Sequence, residues 1–124
     1  MSRNVLDELV RMTVFKLLKR WRIATDKVGR GFGQPGWSDE QIRRALIGTG
    51  KTFHTRDDDY YKPAHRHSTY SLVFYDVRDD EIAYYIRRLL RHSGLLGPAA
   101  QPDRFRHLRL GRYRQRPLRG AAEL

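Results

Sequence analysis

Residues 4–22, NVLDELVRMTVFKLLKRWR, decide how the rest of the chain is assembled. Val5, Leu6, Leu9, Val10, Val14, Leu17, Leu18 and Trp21 recur at three- and four-residue intervals, which predicts one amphipathic helix. Ser2 or Asn4 is placed to cap it, Asp7 and Glu8 fall in its first turn, and Lys16, Lys19, Arg20 and Arg22 crowd its last. That charge order complements the helix dipole, so these basic residues have a structural reason to be there.

Outward from this segment, Ala24 to Trp37 carries Gly29, Gly31, Gly33, Pro35 and Gly36 and is expected to be an irregular linker. Ser38-Asp39-Glu40-Gln41 is a capping box that opens a second, short helix, with Ile42 and Leu46 inward and Gly48 or Gly50 at its end. Lys51 to Thr55 reads as a short strand and residues 56–66, with Pro63, as a loop. Thr69 to Val77 is the strongest strand, aromatic and β-branched with apolar residues on both faces, so it needs cover on both sides. From Asp79 to His92, Ile82, Tyr85, Ile86, Leu89 and Leu90 form a helical stripe, opened by acids and closed by arginines and Gly94. The expected fold is α+β: one small domain over residues 1–98, α-α-β-β-α in order, then a basic and flexible C-terminal tail over 99–124.

The chain has 124 residues and a formal charge of +11. Residues 101–124 hold seven arginines (Arg104, Arg106, Arg109, Arg112, Arg114, Arg116 and Arg119) against Asp103 and Glu123. Phe105, Leu108, Leu110 and Tyr113 are threaded between them. Guanidinium groups take phosphate in paired hydrogen bonds, and interleaved aromatics stack on unpaired bases. The expectation is therefore a nucleic-acid-binding protein, RNA slightly ahead of DNA, held mainly by phosphate contacts. The seven tail arginines would carry it, with Tyr60, Tyr61, Phe105 and Tyr113 as stacking groups. An acidic protein partner is the alternative ligand for such a tail. With no cysteine, disulfides and thiolate metal sites are excluded. No apolar run reaches membrane-spanning length, so a cytoplasmic protein without a membrane partner is expected.

Two constellations invite catalytic readings. Residues 45–52, ALIGTGKT, satisfy a relaxed phosphate-loop pattern, but that chemistry needs a strand before the loop and a helix after it. Here the order is reversed. His54, Asp57, Asp58, Asp59, His65 and His67 lie within fourteen residues. As metal ligands they lack a supporting motif, so no metal and no cofactor are assigned. As acid/base groups, His54, His65 and His67 beside Lys51, Arg56 or Arg66 are the minimum kit for metal-independent RNA cleavage. The layout of residues 30–90, a Gly-Trp-Ser opening into a short helix and antiparallel strands, resembles small bacterial ribonuclease toxins of the barnase and colicin kind. That resemblance carries over no catalytic residue and implies only the enzyme class.

Overall fold

The computed structural model describes residues 3–65, 67–93 and 108–111. Its strands are β1 (Asn4–Leu6), β2 (Thr25–Val28), β3 (Gly31–Phe32), β4 (Thr52–Thr55), β5 (Ser71–Tyr75) and β6 (Leu108–Leu110). Helices α1 (Met12–Arg20), α2 (Asp39–Leu46) and α3 (Ile82–Ser93) follow β1, β3 and β5. All six strands pair in parallel, in the order β3-β2-β1-β4-β5-β6. This is an α/β arrangement, and the α+β expectation is corrected. The antiparallel strands implied by the ribonuclease-toxin layout are absent from this sheet as well.

The N-terminal segment accounts for the error. Asn4–Leu6 is a strand buried on both faces, paired with β2 on one side and β4 on the other. Val5 packs with Phe53, Leu72, Ile42 and Leu46 on the α2 face. Leu6 packs with Val14 and Leu18 of α1 and with Ile82, Ile86 and Leu90 of α3 on the other. A strand that alternates between two cores is apolar at consecutive positions. Run directly into a helix, it mimics one long stripe. The helix proper starts only at Met12, after Arg11, whose side chain makes no capping hydrogen bond. Each fully buried Leu or Ile contributes about 1.5–3 kcal/mol, which lets a three-residue central strand hold the two layers together.

The stretch expected as a linker also contributes strands. After β2 the chain coils tightly through Gly29 and Gly31, both at φ +88°, so that Phe32 reaches the α2 core. Other elements match expectation. Ser38 Oγ accepts from the Gln41 amide at 3.2 Å and Gln41 Oε1 accepts from the Ser38 amide at 2.8 Å, a complete capping box. All five residues of β5 are buried between β4 and β6. Within the stretch expected as tail, Leu108–Leu110 forms β6 on the β5 edge. Gly111 follows at φ +81°, where a Cβ would strike Val77 Cγ1 and come within 2.7 Å of the Asp76 carbonyl oxygen.

Candidate functional site at the carboxyl edge of the sheet

Strand order reverses between β1 and β4. The chain moves outward through β2 and β3, returns through α2 to the far side of β1, and moves outward again through β5 and β6. In open parallel sheets the crevice at such a reversal, beyond the carboxyl ends of the strands, is where ligands bind. Three loops and the start of α2 meet at this edge. They supply Asp7 and Glu8 after β1, Asp57, Asp58 and Asp59 after β4, Asp76, Asp79, Asp80 and Glu81 after β5, and Asp39 and Glu40 on α2. Carboxylates at helix N-termini are ordinary dipole partners. Asp7 and Asp76 are the buried ones, and Asp76 is paired with Arg109 at 2.8 Å.

Asp7 stands one residue past β1, and its amide donates to the His54 carbonyl at 2.9 Å, prolonging the β1–β4 ladder. Only 7% of it is exposed. The Thr55 hydroxyl donates to Asp7 Oδ2 at 2.8 Å and accepts from the Asp57 amide at 2.9 Å. Thr55 thus ties the end of β1 to the loop after β4. Burial raises the pKa of Asp7 above the ordinary carboxylate value, and the charges of Asp57 and Asp39 add to it, against the Thr55 and Glu8 hydrogen bonds. No lysine or arginine forms an ion pair with Asp7 among the described residues. Buried Lys27 sends Nζ to the Glu8 carbonyl at 2.5 Å, and burial lowers its pKa against the charges of Glu8 and Asp7. The Glu8 carboxylate turns to the Gly36 amide at 3.0 Å.

Beside this pair, Asp57, Asp58 and Asp59 offer carboxylate oxygens within 4.8 Å of one another. The Asp59 amide donates to Asp57 Oδ1 at 2.8 Å, which orients that carboxylate. Oxygen donors of this kind suit hard divalent cations such as Mg²⁺ or Mn²⁺. The rim is cationic: Asp79 takes both Arg56 at 2.5 Å and Arg11 at 2.9 Å, so two guanidiniums share one carboxylate. Arg56 also donates to the Val77 carbonyl at 2.6 Å.

The three histidines singled out by sequence do not converge. His54 is fully enclosed: Nδ1 accepts from the Tyr75 hydroxyl at 2.6 Å, and Nε2 donates to Asn4 Oδ1 at 3.0 Å. Burial lowers its pKa to about 3, so it is a neutral strut of the α1/α3 core. His65 lies on the opposite face, against the Tyr60 ring at 4.2 Å, with Nδ1 2.7 Å from the Tyr60 carbonyl. His67 turns to the Thr69 hydroxyl at 2.8 Å.

Tyr60, expected to stack on a base, is 1% exposed and packs on Phe53. Tyr61 is half-buried and stacks on Phe74 at 5.3 Å. Arg109, the exposed residue of β6, lies 2.8 Å from the buried Asp76 carboxylate and over the Phe74 ring at 5.4 Å. Arg104, Arg106, Arg112, Arg114, Arg116, Arg119, Phe105 and Tyr113 lie outside the described residues. Asp7 is hidden from a sequence reading because an acid in an apparent first helical turn already suits the helix dipole. The signal that could have found it is Val5-Leu6 ending on Asp7-Glu8, an apolar strand stopping on acids. Among the described residues no helix is long and apolar enough to cross a membrane. Comparison with protein-family models, with curated proteins and with solved structures finds no match to this chain.

Proposed function

We propose that this protein acts on nucleic acid and that the crevice between β1 and β4 is its reaction centre, where a divalent cation assists phosphodiester hydrolysis. The observation that carries this reading is Asp7: a buried carboxylate at the strand-order reversal, beside further carboxylates, in a chain whose charge is +11. A buried carboxylate beside other carboxylates has a raised pKa and is stabilised in its charged form by a bound cation. Asp7 and Asp57 would hold the ion, with Asp39 contributing to the field. Held there, a divalent ion would supply polarisation of a phosphoryl oxygen and stabilisation of the charge developing on it. The chain's own part is to fix the carboxylates through Thr55 and to present Arg11 and Arg56 at the rim, where phosphates approach.

The test is incubation of single-stranded RNA, and separately DNA, with the full chain in Mg²⁺, in Mn²⁺ and in EDTA. Cleavage with either ion, abolished by EDTA and by Asp7→Asn, is expected. Cleavage that persists in EDTA would return the reaction to the histidines and overturn this proposal.

Binding without chemistry is the second reading, favoured by the six arginines between residues 101 and 124 other than Arg109, which pairs with Asp76. It leads to oligonucleotide binding with intact RNA in every condition. An acidic protein partner would instead survive nuclease treatment of a pull-down.

A further inference from the structure

On α3, Tyr84, Arg87, Arg88 and Arg91 stand at spacing i, i+3, i+4, i+7 and form its outer stripe. The opposite stripe, Ile82, Ile86 and Leu90, is fully buried. The outer stripe faces the end of α1. There the chain closes in a Schellman pattern: the Ile23 amide donates to the Leu18 carbonyl at 3.0 Å and the Arg22 amide to the Lys19 carbonyl at 2.9 Å. The residue between helix and strand in this pattern takes a left-handed conformation and is usually glycine. Here it is Arg22, at φ +62°, which among the described residues is the only non-glycine with positive φ. An arginine held where glycine is easier asks for another reason to be there.

The side chains around Arg22 suggest that reason. Arg87 lies over the Trp21 ring at 4.0 Å, and Trp21 meets Tyr84 edge-on at 5.1 Å. Trp21, Arg22, Ile23, Arg87 and Arg91 line a cleft of about 380 Å³, and Arg87 and Arg91 also border an adjoining hollow of about 230 Å³ beside Tyr84 and Arg88. Arg22, Arg87, Arg88 and Arg91 form no ion pair with a carboxylate among the described residues. Tyr84 is 49% exposed, high for a large aromatic ring. Dipole complementation explains why a helix ends on arginine. It explains neither the strained Arg22 nor the stacking of Arg87 on Trp21.

We infer that this cleft is a nucleic-acid contact, seating backbone phosphates of a single strand among Arg22, Arg87 and Arg91 while Tyr84 stacks on a base. The inference rests on the reading that the protein acts on nucleic acid and adds a site on the edge of the sheet opposite Asp7. Arg87, pre-set by stacking on Trp21, takes phosphate with little further ordering, and a half-exposed ring is a platform for any base.

Anisotropy of a labelled oligouridylate of about 12 nucleotides, titrated with the full chain in EDTA, tests it. Over roughly 50 to 200 mM salt, each phosphate of a single strand that the protein no longer neutralises flattens the log K versus log salt slope by about 0.7. Arg87→Gln with Arg91→Gln should flatten it by about 1.4. Arg22→Gly should flatten it by about 0.7 and yet raise the melting temperature, a combination that a fold defect does not give. Tyr84→Ala should weaken binding by about fivefold or more. Slopes and affinities equal to wild type in all these variants refute the cleft and leave the proposed activity standing. Equal displacement of the probe by polyglutamate overturns it in favour of an acidic peptide. A wild-type chain that binds no oligonucleotide refutes the parent reading as well.

Discussion

Replacing Asp7 by Asn keeps the shape of the side chain and an acceptor for the Thr55 hydroxyl, but removes the charge. The pKa of Asp7 is raised in the folded protein, chiefly by burial, from an ordinary 3.8. Between that value and the folded one, the native state holds a proton that the unfolded chain has released. Stability contributed by this group therefore falls as pH rises through the window and stays reduced at neutral pH. Burying a polar group with incomplete compensation costs about 1–3 kcal/mol, more when it is ionised, and the Thr55 and Glu8 hydrogen bonds return part of that. A net gain of about 1 kcal/mol is expected for Asp7→Asn at pH 7, or about 4 °C in melting temperature for a domain of this size. The gain should shrink as the pH falls toward 3.8. The assay is thermal unfolding in EDTA across that range, repeated with Mn²⁺. Wild type should gain about 2.7 kcal/mol at a hundredfold excess over the dissociation constant, and the variant little. A variant less stable than wild type at pH 7, or one that keeps the full Mn²⁺ effect, would show that Asp7 is a structural acceptor and nothing more.

His54→Leu should destabilise by about 2–3 kcal/mol at pH 7, by stranding Tyr75 and Asn4. Wild type should lose stability as pH falls from 6.5 toward about 3, because the unfolded chain takes up a proton that buried His54 refuses; urea melts of His54→Leu should lack that component. Arg109→Ala leaves the Asp76 carboxylate, 2% exposed, without its guanidinium, and should cost about 2 kcal/mol in the same melts. Truncation after Gly111 spares β6 and removes Arg112, Arg114, Arg116 and Arg119. It should leave the melting temperature within a few degrees and flatten the salt slope by about 2.8 on single strands. An unchanged slope would remove those four arginines from the binding surface.

What the sequence disclosed was whatever has a local signature. The Ser38–Gln41 box, the two-sided apolar run of β5 and the acids Asp79–Glu81 leading into the arginines of α3 each announce themselves within about a dozen residues. What it concealed depends on distant partners. Thr25–Val28 contains Asp26 and Lys27 and has no strand signature; it is a strand because β1 lies alongside. Asn4–Leu6 is too short to show a period and borrows one from the helix that follows. Missing β1 also hides the site, since Asp7 meets Thr55 only when β1 and β4 pair across 48 residues of chain. The histidines mislead for the converse reason. Residues 54 and 65 are near in sequence, but Phe53 and His54 point to opposite faces of β4, so the two rings end in different cores.

The same topology separates the charges. Each helix runs against the strands, so its N-terminus, and the acids that suit it, lies at the carboxyl edge, while Arg20, Arg22, Arg44, Arg87, Arg88 and Arg91 gather toward the other. A polyanion meeting this molecule is attracted by the amino edge and the Arg11–Arg56 rim and repelled by the carboxylates around Asp7. Phosphate therefore reaches Asp7 only if something neutralises the crevice first. On the proposed reading, a divalent cation would do this and a monovalent one would do it poorly, which would make the ion a condition for productive approach as well as for the proposed reaction. On that logic, Mn²⁺ should tighten oligonucleotide binding to wild type beyond its effect on Asp7→Asn. If both respond alike, the ion acts on the nucleic acid and not in the crevice.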